Sequence, residues 1–308
     1  MSLMMSNMSG LSTIRDFIRW GATRFLGAHL FYGHGMDNAF DEAKFLVYQS
    51  LNMPPDLESH WLDASVTDDE SKRIGILFDD RITTRKPAAY LVGKTWFAGM
   101  NFIVNEHVLV PRSPFAELIA RGFDGWINED SCEHVLDMCT GSGCIGIAAL
   151  QSLPNVVVDL VDISPAAIAV AKQNIALHGV EDRVTAIESD LFAQLAGKKY
   201  DLIMSNPPYV DAAEIAAMPK EFHHEPMLGL ASGADGLTLT RKLLAQAADY
   251  LTEYGVLIVE VGASDEALIA LYPELPFFWF DFERGGMGVF AINRSELVVF
   301  ANELAENA

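Results

Sequence analysis

The sequence predicts an α/β fold, a doubly wound and mostly parallel sheet, preceded by a small helical domain and a hairpin linker. Two observations carry this. Beyond residue 130, short apolar segments at 134–138, 156–162, 184–188, 201–205 and 256–261 alternate with helical stretches, the pattern of parallel strands joined by crossover helices. Before residue 88 the apolar residues recur at helical spacing instead. A sheet of this kind binds ligands outside the carboxyl ends of its strands, and there the chain places its least ordinary residues.

The 308 residues, 50% hydrophobic and 20% charged, suffice for one large domain and a smaller one. The longest apolar runs are strand-sized and fall short of the roughly 20 residues of a membrane span. The opening Met1-Ser2-Leu3-Met4-Met5 lacks a basic n-region and a clear apolar h-region, and reads as an expression scar or an alternative start. Three cysteines, Cys132, Cys139 and Cys144, match no zinc spacing, and their odd number argues against a disulfide framework. Free thiols in the cytoplasm are expected. Forty-two acidic against 21 basic residues give a net charge of −21, which repels nucleic acid at long range and favours a basic partner.

Residues 1–88 read as the helical domain. The stretch 12–30 carries Ile14, Phe17, Ile18, Phe25 and Leu26 on one side, and 37–51 repeats the idea with Phe40, Ala43, Val47 and Tyr48. Thr67-Asp68-Asp69-Glu70 forms a capping box ahead of Ile74, Leu77 and Phe78, and Pro87 closes the stretch. Nothing there suggests chemistry, so a substrate-orienting role is the reading. Over 89–110 the period changes to alternation, and Tyr90, Val92, Trp96, Phe102, Val104 and Val108 predict strands about a turn at Ala98-Gly99-Met100-Asn101. The main domain, 111–308, opens on Pro111-Arg112-Ser113-Pro114, where Ser113 can cap and Pro114 can begin a helix running to about Gly122. Two readings stand for Arg112: a charge facing the active cleft, or a solvated charge before a helix. Segments 277–282 and 289–292 flank Gly285-Gly286 and read as a closing hairpin.

The first parallel strand ends in Asp137-Met138-Cys139-Thr140-Gly141-Ser142-Gly143-Cys144-Ile145-Gly146, and Asp162 closes the next. Gly141, Gly143 and Gly146 nominally match a dinucleotide fingerprint. The physical content is broader: the glycines let backbone approach a ligand, and Asp162 can accept two ribose hydroxyls, so an adenosine cofactor follows without a pyrophosphate. Asp190, at the third strand end, can accept from an adenine amino group with Leu191 against the ring, or act as a helix cap. The fourth strand ends in Asn206-Pro207-Pro208-Tyr209. Two prolines after a buried strand stop the ladder and stiffen the turn. The Asn206 side-chain carbonyl and the Pro207 backbone carbonyl then offer two acceptors beside the Tyr209 ring, which suits a planar group bearing NH2. Taken alone, these four residues read equally as a proline-rich strand exit with Tyr209 packed on the core.

In order, glycine loop, ribose acid, adenine acid and Asn-Pro-Pro-Tyr resemble the class I S-adenosylmethionine-dependent methyltransferases that modify planar nitrogen. Val110-Pro111-Arg112, Glu225-Pro226 and Gly233-Ala234-Asp235-Gly236-Leu237 are similar to the protein-glutamine branch. Trp96-Phe97-Ala98-Gly99, Phe222-His223-His224-Glu225-Pro226 and 282–290 are similar to its ribosomal-protein members. The resemblance implies a seven-stranded Rossmann-like sheet and the third protein of the large ribosomal subunit, a basic protein, as substrate. It implies that Asp137, Cys139, Thr140, Gly141, Ser142, Gly143, Asp162, Asp190, Leu191 and Asn206 hold S-adenosylmethionine. Asn206, Pro207, Pro208 and Tyr209 would hold the substrate amide, with Asn206, Pro207 and Tyr209 catalytic. Cys139 departs from the family by standing where glycine is usual, and Leu191 where the release-factor branch often has an aromatic.

The rival readings are a release-factor glutamine methyltransferase, a nucleic-acid adenine methyltransferase and a non-catalytic ribosome-assembly factor. The adenine enzyme calls for a basic, aromatic-studded surface, which the −21 charge disfavours. His223 and His224 beside Glu225 read as loop structure, because adjacent side chains seldom aim at one ion, and no metal is expected. Glu260, a strand-end acid in Val259-Glu260-Val261-Gly262, is a weaker candidate for a substrate role and is not counted among the site residues.

Overall fold

The computed structural model, which describes residues 8–283 and 285–308, divides into two compact units. The opening segment 1–5 and Arg284 lie outside the described residues. The first unit runs to Trp96 and takes in Pro219–His224, while the second comprises Phe97–Met218 and Glu225–Ala308.

In the first unit, three amphipathic helices, α1 (Ile14–Gly27), α2 (Ala39–Ser50) and α3 (Asp68–Thr84), bury Phe17, Phe25, Phe45 and Phe78 against one another. Each begins where the backbone donors find a partner. Thr13 pairs with Asp16 and Thr67 with Glu70 in reciprocal capping boxes, and the Asn38 side chain accepts from Phe40 and Asp41. A Cβ at Gly21 would lie 2.4 Å from the Phe78 ring, so glycine lets α1 and α3 approach closely. Leu26 and Phe40, counted with the apolar faces, are exposed. A buried charge sits among the rings: Arg81 Nε donates to Glu42 at 2.7 Å and its Nη2 to the Phe31 carbonyl at 3.0 Å. From the returning segment, Glu221 accepts from the Phe31 backbone at 3.0 Å and pairs with Arg85 at 3.2 Å, and the Phe222 ring lies 4.4 Å from that of His34. The His224 ring meets the Thr84 carbonyl at 3.0 Å, and among the described residues no group of three His, Cys, Asp or Glu is placed to hold a metal ion.

The expectation of strand at Tyr90 and Val92 is corrected. Ala88–Val92 is a short helix, α4, started by Pro87 and stopped by Gly93 at φ 71°. Punctuation by proline and glycine, with an alanine pair between, outweighs the β-preference of two residues. The hairpin follows as β1 (Lys94–Phe97) and β2 (Met100–Ile103), with Ala98 and Gly99 both at positive φ, the backbone of a tight two-residue turn.

The second unit is a seven-stranded sheet. Its strands are β3 (His134–Met138), β4 (Val157–Asp162), β5 (Val184–Glu188), β6 (Tyr200–Ser205), β7 (Leu251–Glu260), β8 (Phe278–Trp279) and β9 (Val289–Asn293). They lie in the order β5-β4-β3-β6-β7-β9-β8, parallel from β3 to β7, with β9 antiparallel to both neighbours. β7 begins five residues earlier than the apolar run suggested and slips register opposite Tyr200 and Leu202. β8 is only two residues of the six expected to extend. Helices α5 (Phe115–Ala120), α6 (Cys144–Ala149), α7 (Pro165–His178), α8 (Ala212–Ala217), α9 (Met227–Leu230), α10 (Thr238–Ala247), α11 (Asp265–Leu271), α12 (Arg294–Val299) and α13 (Ala301–Glu306) complete the unit. One apolar cluster includes Leu160, Met204 and Ile258, and a second includes Leu136, Ile203 and Leu257. Burying each such side chain contributes roughly 1.5–3 kcal/mol. Both faces are therefore covered, which is why these strands read as unbroken apolar runs. The chain leaves β3 toward β4 and β5, then crosses back to β6 and β7. That reversal between β3 and β6 is the switch point at which such sheets bind ligands.

Candidate active site

Register places the two signature loops side by side. Met138 pairs with Ser205, and Ser205 Oγ donates to the Met138 carbonyl at 2.8 Å, so Cys139 and Asn206 leave adjacent strands together. On the other flank Met138 pairs with Val161, and the Thr140 backbone donates to the Val161 carbonyl at 2.9 Å. Asp162, Cys139, Asn206 and Glu260 thus follow or end four neighbouring strands at one edge of the sheet.

The glycine loop turns under tight constraint. Cys139 sits at φ 60°, a left-handed conformation that explains why glycine is usual there, and costs a residue with a Cβ roughly 1–2 kcal/mol. Asp137 is wholly buried beneath the loop. Its Oδ2 accepts from Thr140 Oγ1 at 2.5 Å and from the Gly146 backbone at 2.9 Å, and burial pushes its carboxyl up to about 7. Asp137 therefore shapes the loop from below. A Cβ at Gly146 would lie 2.3 Å from Leu160, so the third glycine serves the packing of α6 on β4. Asn174, on α7, donates to the Ser142 carbonyl at 2.8 Å and to the Ile103 carbonyl at 2.9 Å, fixing the loop's outer side.

The cradle fits an adenosine cofactor. Around the Cβ position of Gly141, at φ 55°, there is open space for a ligand. Asp162 holds the Gly141 and Ser164 backbones with one carboxylate oxygen each, both at 2.9 Å, so each oxygen retains lone pairs for a ribose hydroxyl. Burial raises the Asp162 carboxyl and those backbone donors oppose it. Just past the end of β5, Asp190 is exposed and Leu191 turns at φ 46°, and the Ser189 backbone before them donates to the Asp162 carbonyl at 2.9 Å.

The Asn-Pro-Pro-Tyr turn is braced from three sides. Pro207 and Pro208 are buried while Asn206 and Tyr209 are partly accessible. Tyr209 donates its hydroxyl to Glu260 Oε1 at 3.0 Å and Ser113 Oγ donates to Glu260 Oε2 at 2.5 Å, while the pairing of Ser205 with Val259 sets Asn206 and Glu260 at neighbouring strand ends. A Cβ at Gly262 would lie 2.5 Å from the Tyr209 ring, and one at Gly236 would lie 2.2 Å from the Tyr209 carbonyl. Beyond Tyr209, Val210 donates to the Leu230 carbonyl and receives the Ser232 backbone. Arg112 resolves into a structural partner: Nη1 and Nη2 grip the two oxygens of the buried Glu225 at 2.6 and 2.8 Å, and Glu225 also receives the Val110 backbone at 3.0 Å.

Residues 126–225 match the family model of the methyltransferase small domain. Among curated proteins, the chain is 46% identical to the ribosomal protein uL3 glutamine methyltransferase of Francisella tularensis subsp. tularensis, over 95% of this chain and 94% of that one. It is 48% identical to the protein of the same name from Xanthomonas campestris pv. campestris, over 97% of this chain and 96% of that one. The chain belongs to the ribosomal protein uL3 glutamine methyltransferase family. Its fold is also that of the human Mettl16 catalytic domain, solved with a MAT2A 3′UTR hairpin, at a TM-score of 0.50 and 15% identity over 73% of this chain and 81% of that one.

Sequence reasoning passed over three parts of this uL3-type methyltransferase site. Ser113 was read only as a helix cap, and it does accept from the Phe115 backbone at 3.1 Å, but it also reaches Glu260. Glu260 was noted as a strand-end acid with a substrate role in view but left out of the site residues, although an acid ending the run Val256-Leu257-Ile258-Val259 at a parallel strand's carboxyl end is a usable signal. Gly262 carries no such signal; only the approach of Tyr209 shows why it is glycine. In this methyltransferase, Gly262→Ala at φ 50° is expected to displace the Tyr209 ring and lower kcat about tenfold to a hundredfold. Wild-type kcat in that variant, measured with the fold intact by circular dichroism, would show that the ring's position is immaterial.

Proposed function

We propose that the protein methylates the side-chain amide nitrogen of a glutamine in ribosomal protein uL3, the third protein of the large subunit. The observation that carries this is the braced Asn206-Pro207-Pro208-Tyr209 turn standing next to an adenosine cradle at the switch point. Names borne by relatives aligned over nearly the whole chain support the same substrate.

When bound, S-adenosylmethionine supplies an electrophilic methyl group on a sulfonium. Gly141, Ser142 and Gly143 would give it backbone room, Asp162 would take the ribose hydroxyls, and Asp190 with Leu191 would take the adenine. A carboxamide nitrogen is a weak nucleophile because its lone pair is delocalised into the carbonyl. The Asn206 Oδ1 and Pro207 carbonyl accept its two hydrogens, favour positive charge developing on nitrogen, and fix its direction. Tyr209, with its hydroxyl tied to Glu260, presents its ring to the amide plane. The nitrogen's surplus proton leaves to water, so no side-chain base is needed.

Charge favours a basic protein over nucleic acid. Of the 42 acidic and 21 basic residues, 29 and 10 fall in the second unit, which so carries −19 of the −21. A surface of that sign attracts a ribosomal protein and repels phosphate. The first unit, nearly neutral, orients the substrate protein, and the reaction takes place in the cytoplasm. Among the described residues no helix is long and apolar enough to cross a membrane.

Labelled S-adenosylmethionine offered with purified uL3, with a peptide-release factor and with RNA separates the readings. Label on a uL3 glutamine, located by mass spectrometry, is the expected result. Label on the release factor would keep the chemistry and replace the substrate; label on adenine would overturn the argument from charge. No transfer at all would leave a binding factor.

A further inference from the structure

We propose that Glu260 is a positioning residue that holds the Tyr209 ring in place for methyl transfer, with Ser113 fixing the carboxylate that holds it. This rests on the function proposed above and deepens it. The ring lies on the plane of the substrate amide only if the side chain keeps one rotamer, and a tyrosine free to turn would be there part of the time. The prolines before it fix its backbone, not its side chain.

Three contacts remove that freedom, each at a different height on the residue. At the base, Gly236 passes so near that a Cβ there would lie 2.2 Å from the Tyr209 carbonyl. Beside the ring, a Cβ at Gly262 would lie 2.5 Å from Tyr209 Cε2. At the tip, the hydroxyl donates to Glu260 Oε1 at 3.0 Å. The first two contacts exclude positions, whereas the third draws the ring toward one.

Glu260 is itself held still. Its backbone closes β7 opposite Val289 on β9, and the next residue, Val261, donates to the Gly288 carbonyl at 2.6 Å. Its side chain is buried, and the second carboxylate oxygen, Oε2, accepts from Ser113 Oγ at 2.5 Å. Ser113 is buried too. Its hydroxyl accepts from the Phe115 backbone at 3.1 Å, which leaves its own hydrogen to point at Glu260. Each carboxylate oxygen thus serves one hydroxyl, and Glu260 acts on the reaction through Tyr209 rather than on the substrate.

The test is steady-state methyl transfer to purified uL3, with S-adenosylmethionine affinity measured by calorimetry. Wild type must first label a uL3 glutamine; if it does not, the functional reading falls and this inference with it. Given that activity, Glu260→Met, which keeps the side chain's length but accepts only weakly, should lower kcat about tenfold to a hundredfold with cofactor affinity within roughly threefold. Glu260→Gln should stay within about fivefold of wild type, because its amide oxygen can take the Tyr209 hydroxyl while Ser113 accepts from its NH2. Tyr209→Phe should lose about as much as Glu260→Met, and the double variant no more than either alone, since both break the same bond. Ser113→Ala should lower kcat roughly threefold to tenfold in wild type and leave Tyr209→Phe within about twofold, and this pair decides the matter if Glu260→Met does not fold. Losses that multiply in either pair, a Glu260→Met enzyme with wild-type kcat, or a Glu260→Gln enzyme as slow as Glu260→Met would overturn the assignment.

Discussion

Asn206→Ala is expected to lower kcat for glutamine methylation about a thousandfold while S-adenosylmethionine affinity stays within roughly threefold of wild type. The reason is the division of labour along the sheet edge. Cofactor contacts are assigned to the loops after β3, β4 and β5, whereas Asn206 follows β6, on the side of the sheet where β7 ends in Glu260. Removing it takes away one of the two acceptors for the substrate NH2. Asn206→Asp is the sharper companion. It keeps an oxygen in place but sets a second carboxylate against Glu260, so it should be no more active than the alanine variant. Single-turnover transfer with calorimetry checks both, and collapse of cofactor affinity in Asn206→Ala would mean the residue belongs to the cofactor rather than to the amide.

The second large effect is on stability. Arg81→Met should destabilise the first unit by about 3–5 kcal/mol, the range for breaking a buried ion pair from one side. Arg81 is fully buried, its Nε and Nη2 reach Glu42 at 2.7 and 3.3 Å, and its Nη1 lies 3.7 Å from Glu221. Burial already pushes the Glu42 carboxyl up and the Arg81 charge pulls it back, so methionine would strand that carboxylate in an apolar setting. Adding Glu42→Gln removes the stranded charge and should recover part of the loss. Urea unfolding of the three proteins measures this, and an Arg81→Met midpoint equal to wild type would show that the pair contributes nothing.

Much of the fold was legible because the parallel strands are buried on both faces and announce themselves as apolar runs such as Leu257-Ile258-Val259. Where the structure departed, the local pattern was ambiguous. Tyr90 and Val92 favour strand by type, yet Pro87 and Gly93 bracket a helix between them. The aromatics of 277–282 alternate like a strand, yet only Phe278 and Trp279 find partners on β9. Asp162, Asp190 and Asn206 could be placed at or just past strand ends from sequence because polar residues closing apolar strands stand out. The burial of Asp137 under its own loop could not, since it depends on Gly146 folding back over it. Nor could the surroundings of Glu260, which draws donors from positions 113 and 209 that only the fold brings together.

The returning segment Pro219–His224 has a consequence for how such proteins can be recombined. It is encoded downstream of the clamp yet belongs with the first unit, where Glu221 meets Arg81 and Arg85 and Phe222 meets His34 and Phe31. A cut at residue 96 therefore does not yield two exchangeable modules. A chimera that swaps only the leading helices between relatives would ask a foreign socket to receive this hexapeptide. Substitutions at 81 and 85 should thus be inherited with those at 221 and 222, making six residues deep in the enzymatic half part of the heredity of the other.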